Sequence, residues 1–249
     1  MNRTTQCAIC IFALAFSFQG QGRQIGSVDL TRPPETSNVA RSREKTALPK
    51  GCGKLSDGGI ADGWVKPEDN LPRGIVVKVI SVSNLKSALS SELRADVQLQ
   101  NSDKRPIRIP WSTDSSLIEN GQDPEHLEWE VGTFEFTLRD SEDNQIALKS
   151  LTGWLYGSKF TSGSELTIQP RESIIALVKF KLEDKYAIPP ERLKEGEWQL
   201  LAEWHQVGRS WDVKNCAAWN SYFQYDDFYR QHNVPVTIQV TAPDSAAQK

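Results

Sequence analysis

Trp198-Gln-Leu-Leu-Ala-Glu-Trp-His205 alternates large apolar with mostly polar side chains, and Val234, Val236, Ile238 and Val240 repeat the same period further on. Side chains of a strand point alternately to opposite faces, so each run reads as a strand buried on one side. Two successive strands usually pair, which makes residues 206 to 233 an oversized loop between them. Into that loop fall Trp211, Cys216, Trp219, Tyr222, Phe223, Tyr225, Phe228 and Tyr229.

The period-two pattern extends N-terminally. Ile75-Val-Val-Lys-Val-Ile-Ser-Val82 is a β-branched run, and Leu93, Ala95, Val97 and Leu99 alternate with Arg94, Asp96, Gln98 and Gln100. Asn101-Ser-Asp103 supplies a turn, and Ile107 and Ile109 flank Arg108 before Pro110. Phe134, Phe136 and Leu138 lead through Asp140-Ser-Glu-Asp-Asn144 to Ile146 and Leu148, the pattern of a hairpin. Leu166 and Ile168, then Ile174, Ala176, Val178, Phe180 and Leu182, add two strands. Short strands at regular spacing predict an all-β domain over about 74–241. The expected core holds Leu93, Val97, Phe136, Leu138, Ile168, Val178, Leu200, Ala202, Val236 and Ile238.

The rest of the 249 residues frames that domain. Met-Asn-Arg3, a short apolar stretch to Phe18 and Gln-Gly-Gln-Gly22 have the layout of a signal peptide over 1–22, with cleavage expected between Ser17 and Gly22. The apolar run falls short of the about 20 residues a membrane span needs, so the mature chain is expected to be secreted or periplasmic, with no membrane span. Residues 23–50 are polar and carry Pro33-Pro34, the composition of a disordered linker. Residues 51–73 combine turn chemistry with Cys52 and Trp64 and read as an ordered irregular arm; 242–249 read as a disordered tail. With the signal removed, Cys52 and Cys216 remain, and in an oxidising compartment they are expected to bond; the alternative is two buried thiols. A formal net charge of −3 with scattered Lys and Arg argues against a nucleic-acid partner.

Leu93 to Ile107, Leu166-Thr-Ile-Gln-Pro-Arg-Glu-Ser-Ile174 and Leu193-Lys-Glu-Gly-Glu-Trp-Gln-Leu200 resemble bacterial immunoglobulin-like sandwiches, and in their ordering are similar to BsuPI-type proteinase-inhibitor domains. The resemblance implies an immunoglobulin-like antiparallel β-sandwich with a long aromatic-rich loop between its last two strands. It also implies that Trp198 takes the corner position filled by a tyrosine in that fold, with only an indole N–H to donate. Two insertions, 111–130 and 206–233, depart from the inhibitor pattern, and no inhibitory loop carries over residue by residue.

The chemistry of candidate sites is sparse. Gly51-Cys-Gly53-Lys54 lacks the first glycine and the hydroxyl of a phosphate-binding loop, and Asp57 to Asp62 lacks the alternating oxygen ligands of a calcium loop. His205 and His232 flank the excursion and, with Asp226 and Asp227, form a conceivable metal set of imidazole and carboxylate, though at no recognised ligand spacing. There is no Gly-x-Ser-x-Gly turn; Glu125, Glu128 and Glu130 are carboxylates for a hydrolase, but read more simply as a solvated face. No cofactor is called for. The aromatic rings of Trp211, Trp219, Tyr222, Tyr225 and Tyr229 either cap the domain or form a rigid amphipathic surface for a protein or carbohydrate ligand. The expectation is thus an exported, non-enzymatic binding module; the alternatives are a secreted proteinase inhibitor and a hydrolase with an unidentified site.

Overall fold

Alternation becomes burial most plainly in the strand Glu92–Asn101, where Leu93, Ala95, Val97, Leu99 and Asn101 are all buried and the residues between them are not. Asn101 is the polar exception, and its amide donates to the Arg105 and Ile168 carbonyls at 2.8 and 2.9 Å, so the buried group is satisfied. The computed structural model describes residues 22–33, 73–88, 91–117, 122–123, 126–157, 162–186, 194–212, 221–224 and 229–241. The expected signal, arm and tail, most of the linker, and both Cys52 and Cys216 lie outside the described residues.

In chain order the strands are β1 (Gln24–Asp29), β2 (Arg73–Val82), β3 (Lys86–Ala88), β4 (Glu92–Asn101), β5 (Ile107–Pro110), β6 (Gln122–Asp123), β7 (His126–Arg139) and β8 (Gln145–Ser150). They continue with β9 (Leu155–Gly157), β10 (Glu165–Ile168), β11 (Ser173–Asp184), β12 (Gly196–Asp212), β13 (Ser221–Gln224), β14 (Tyr229–Val234) and β15 (Val236–Thr241). The described residues are nearly all β. The expected pairings of β7 with β8 and of β12 with β15 are present and antiparallel, and β2 pairs antiparallel with β4.

The main sheet follows the order β14-β2-β4-β11-β8-β7-β12-β15-β3, while β5 and β10 form a separate pair. This continuous path curls until β12 and β15 pack against β2, giving a nearly closed barrel where two facing sheets were expected. Three pairings are parallel, β1 on β11, β14 on β2 and β15 on β3, which an all-antiparallel sandwich does not contain. Inside lie Phe136 stacked on Phe180 with centroids 4.5 Å apart, and Phe134 edge-on to Trp204 at 5.0 Å. Aromatic pairs of this kind contribute about 0.5–1.5 kcal/mol beyond the area they bury. Nine of the ten expected core residues are buried; Val236 is half-buried against the same core. Trp198 donates its indole N–H to the Lys194 carbonyl at 2.8 Å.

Two expectations need correction. Gln24–Asp29, assigned to the linker on its polar composition, is strand β1, and Leu30 just after it is 1% exposed. The segment is ordered by the main chain of β11, a partner about 150 residues away that its own composition does not reveal. The excursion 206–233, assigned to a loop, is strand over much of its length: β12 runs on to Asp212, and β13 and β14 follow. Hydrophobic alternation fades there because the inward positions are Gln206 and Gly208, and a strand that faces inward with a polar residue and a glycine has no apolar period.

Candidate functional site

β7 and β12 pair without interruption from Arg139↔Gln199 to His126↔Asp212, further than the barrel needs. Beyond Val207 strand β12 pairs with β13 in place of β15 (Val207↔Gln224 to Ser210↔Ser221), while β9 and β6 line the far edge of β7. The result is a ribbon continuous with the barrel wall. Its register sets Arg209 opposite Trp129 on one side and Tyr222 on the other. One step outward on the same parity, Trp211 stands opposite Leu127. Because strand positions two apart share a face, these five residues belong to one face of the ribbon, and Gln206, Gly208 and Glu130 to the other.

Where the ribbon leaves the barrel, that second face carries a chain of polar contacts. The Trp204 indole N–H donates to Gln206 Oε1 at 3.1 Å, and Gln206 Nε2 donates to Glu130 Oε2 at 3.0 Å. Trp204 and Gln206 are buried. The Trp204 ring occupies the space that a Cβ on Gly132 would fill, so strand β7 must carry glycine there. Nearby, the Tyr229 hydroxyl donates to the Arg108 carbonyl at 3.3 Å. Burial, reinforced by the Glu130 carboxylate, pushes the Tyr229 phenol well above its ordinary pKa, with Arg73 and Arg108 acting weakly the other way. Tyr229 is therefore a neutral donor at physiological pH.

The residues expected at the site are placed as follows. Trp211 and Tyr222 lie on ribbon strands β12 and β13, whereas Trp219, Tyr225, Asp226 and Asp227 lie outside the described residues. Tyr229 is corrected from a ligand-binding surface to the core: it is 8% exposed and its hydroxyl is held by the main chain. The proposed metal set is not assembled by the residues described. His205 Nε2 lies 3.6 Å from Glu203 and 3.8 Å from Glu135, and His232 stands exposed on β14 opposite Val76. No group of three or more His, Cys, Asp or Glu suited to a metal ion occurs among the described residues. Among them, too, no helix is long and apolar enough to cross a membrane. Sequence reasoning missed Arg209, Gln206 and Gln231. Arg209 becomes visible only once β12 is known to continue and its register with β7 and β13 is fixed.

No protein-family model matches the chain, and no curated protein matches it in sequence. Solved structures that resemble it include a β-glucosidase from Erythrobacter marinus, 11% identical, covering 68% of this chain and 16% of that one with a TM-score of 0.29. Another is the CARDB domain of the PF1109 protein from Pyrococcus furiosus, in complex with di-metal ions, at 8% identity, 76% and 97% coverage and a TM-score of 0.26. A third is the putative ApaA protein from Bordetella pertussis, at 12% identity, 70% and 98% coverage and a TM-score of 0.23. The chain spans 16% and 30% of the first two structures it matches. Scores of this size assign neither family nor activity.

Proposed function

We propose that this protein is an exported, non-enzymatic binding module that takes a protein or carbohydrate ligand on the face of the β7–β12–β13 ribbon bearing Trp129, Arg209 and Tyr222. One observation carries the reading: three adjacent strands bring Trp, Arg and Tyr to a single register, with Trp211 and Leu127 in the next row. Those residue types dominate the energetics of recognition surfaces, because large rings offer contact area for few rotatable bonds and guanidinium offers five fixed donors. The faces of Trp and Tyr also suit the apolar faces of sugar rings. Strands that continue into a packed barrel position such groups better than a free loop does.

The test is a glycan array alongside a panel of purified extracellular proteins, probed with the wild-type chain and with Trp129→Ala and Tyr222→Ala. The expected outcome is a ligand whose affinity falls at least about tenfold in each variant, as loss of a ring worth about 1.4 kcal/mol or more requires. Thermal melting of both variants should stay near wild type. Undiminished affinity in both variants would move the binding surface elsewhere, and turnover of a bound glycan or peptide would replace the binding reading with an enzymatic one.

A further inference from the structure

Strand β11 has one edge covered by β4 along Ser173–Lys181, while on its other edge β8 engages only the half from Phe180 onward. The remaining half-edge, Ser173 to Leu177, is filled by β1 in parallel. The seat is well fitted. The Ser173 N–H donates to the Arg23 carbonyl at 3.0 Å, the Leu30 N–H to the Leu177 carbonyl at 2.8 Å, and the Gly153 N–H to the Leu30 carbonyl at 2.7 Å. Leu30 is buried in the core, Ile25 and Val28 pack against it, and the Trp111 ring lies so close to Gly26 that a Cβ there would sit 3.1 Å from it.

The connection to the rest of the chain does not dictate which copy supplies this strand. β1 runs parallel to β11, which is antiparallel to β4, which is antiparallel to β2, so β1 and β2 run the same way. To reach Arg73 from Leu30 the chain returns one strand length, about 20 Å, and crosses three strand spacings, about 14 Å. That route needs on the order of eight extended residues. The sequence provides residues 34 to 72, a contour of more than about 100 Å at full stretch. A tether several times longer than its shortest path permits the same strand to seat on a neighbouring molecule, with the same hydrogen bonds and the same buried Leu30.

We propose that β1 is an exchangeable strand, and that the Ser173–Leu177 half-edge of β11 is a docking site for β1 of a second copy of this chain, so that two copies assemble by reciprocal exchange. The contacts are identical within and between copies, so the balance is set by the tether and by concentration. Self-docking dominates in dilute solution, and exchange rises as protein concentration approaches the effective concentration of the tethered strand, of millimolar order. Reciprocal exchange closes with two-fold symmetry and leaves no open half-edge.

The experiment uses full-length chains. Ser27 and Ile175 are register partners, Ser27 exposed and Ile175 half-buried. A Ser27→Cys chain and an Ile175→Cys chain are purified separately, mixed over a range of concentrations, incubated and oxidised, and the joined peptides are identified by mass. A mixture of Ser27→Cys with Thr237→Cys, on the distant strand β15, sets the background. The expected result is a 27–175 link between copies, rising with concentration to roughly tenfold above background at millimolar protein. A chain carrying both Ser27→Cys and Ile175→Cys should link to itself at low concentration. An internal link without any inter-copy link above background overturns the exchange, and absence of the internal link overturns the β1 seat on which it rests.

Discussion

Gln231 joins β14 to the main chain of Trp204 on β12: its Oε1 accepts from the Trp204 N–H at 3.0 Å, and its Nε2 donates to the Trp204 carbonyl at 2.7 Å. Strand β12 pairs with β15 up to Leu200 and with β13 from Val207, which leaves Trp204 between the two ladders. A side-chain amide has the donor and acceptor of a peptide group, so Gln231 stands in for the missing strand partner and closes the barrel seam. Replacing Gln231 with Leu keeps similar bulk and removes both bonds, leaving the Trp204 main chain unsatisfied. Chemical denaturation should show a loss of about 1–3 kcal/mol.

Gly132→Ala places a methyl group in the space of the Trp204 ring, with Pro110 3.0 Å away on the same side. An indole held by Phe134 and by Gln206 cannot move aside freely. The expected destabilisation is about 1–3 kcal/mol, as for other overpacked cores. Combining it with Trp204→Phe should cost less than the sum of the two single changes, because the smaller ring makes room; additive costs would show that the two residues do not compete for space.

Asp103 carries the turn between β4 and β5. It accepts from the Arg105 N–H at 3.0 Å, from Arg105 Nε at 3.2 Å and from the Gly74 N–H at 3.2 Å. The hydrogen bond from the Arg105 side chain, with those two backbone N–H groups, holds the carboxyl far below the usual carboxylate range against an opposing effect of partial burial. A folded-state pKa below the unfolded value adds stability that is fully present above the unfolded value of about 3.9 and is lost as pH falls toward the folded one. Asp103→Asn should therefore cost about 1–2 kcal/mol at pH 7, and the gap to wild type should narrow below about pH 4. Denaturant midpoints at several pH values give the comparison.

Tyr229 responds at the opposite end of the scale. Its folded-state pKa is raised, so the stability it adds is present below the unfolded phenol value of about 10 and is lost as pH climbs above that value. Stability should decline steeply above about pH 10, and Tyr229→Phe should flatten that decline. At neutral pH the same variant loses the bond to the Arg108 carbonyl, worth about 0.5–1.5 kcal/mol. Ultraviolet absorbance of phenolate against pH, followed alongside circular dichroism, reads both effects.

The barrel wall was legible in the sequence wherever one face of a strand is apolar, as in Leu93 to Leu99 or Phe134 to Leu138. Periodicity of that kind gives strands and local hairpins, and it led to the antiparallel pairs β7–β8 and β12–β15. It could not give the three parallel pairings, whose partners lie about 150 residues apart and share no turn. The candidate site was half legible. Trp211 and Tyr222 stood out by residue type, but their alignment with Trp129 and Arg209 follows from a register that runs through Gln206 and Gly208, where the apolar period is silent. Tyr229 misled for the same reason, since an aromatic side chain in a polar stretch reads as surface until β14 is seen seated on β2.

The parallel seating of β14 on β2 also sets a schedule for synthesis. Strand β2 pairs with β4 soon after both leave the ribosome, yet its other edge waits for Tyr229–Val234. At about 5–20 residues per second that wait lasts on the order of ten to thirty seconds. Throughout it, the β-branched run Ile75–Val82 offers unpaired main-chain groups to any other nascent chain. How fast the last quarter of the message is translated, and what shields that edge meanwhile, sets how long this exposure lasts.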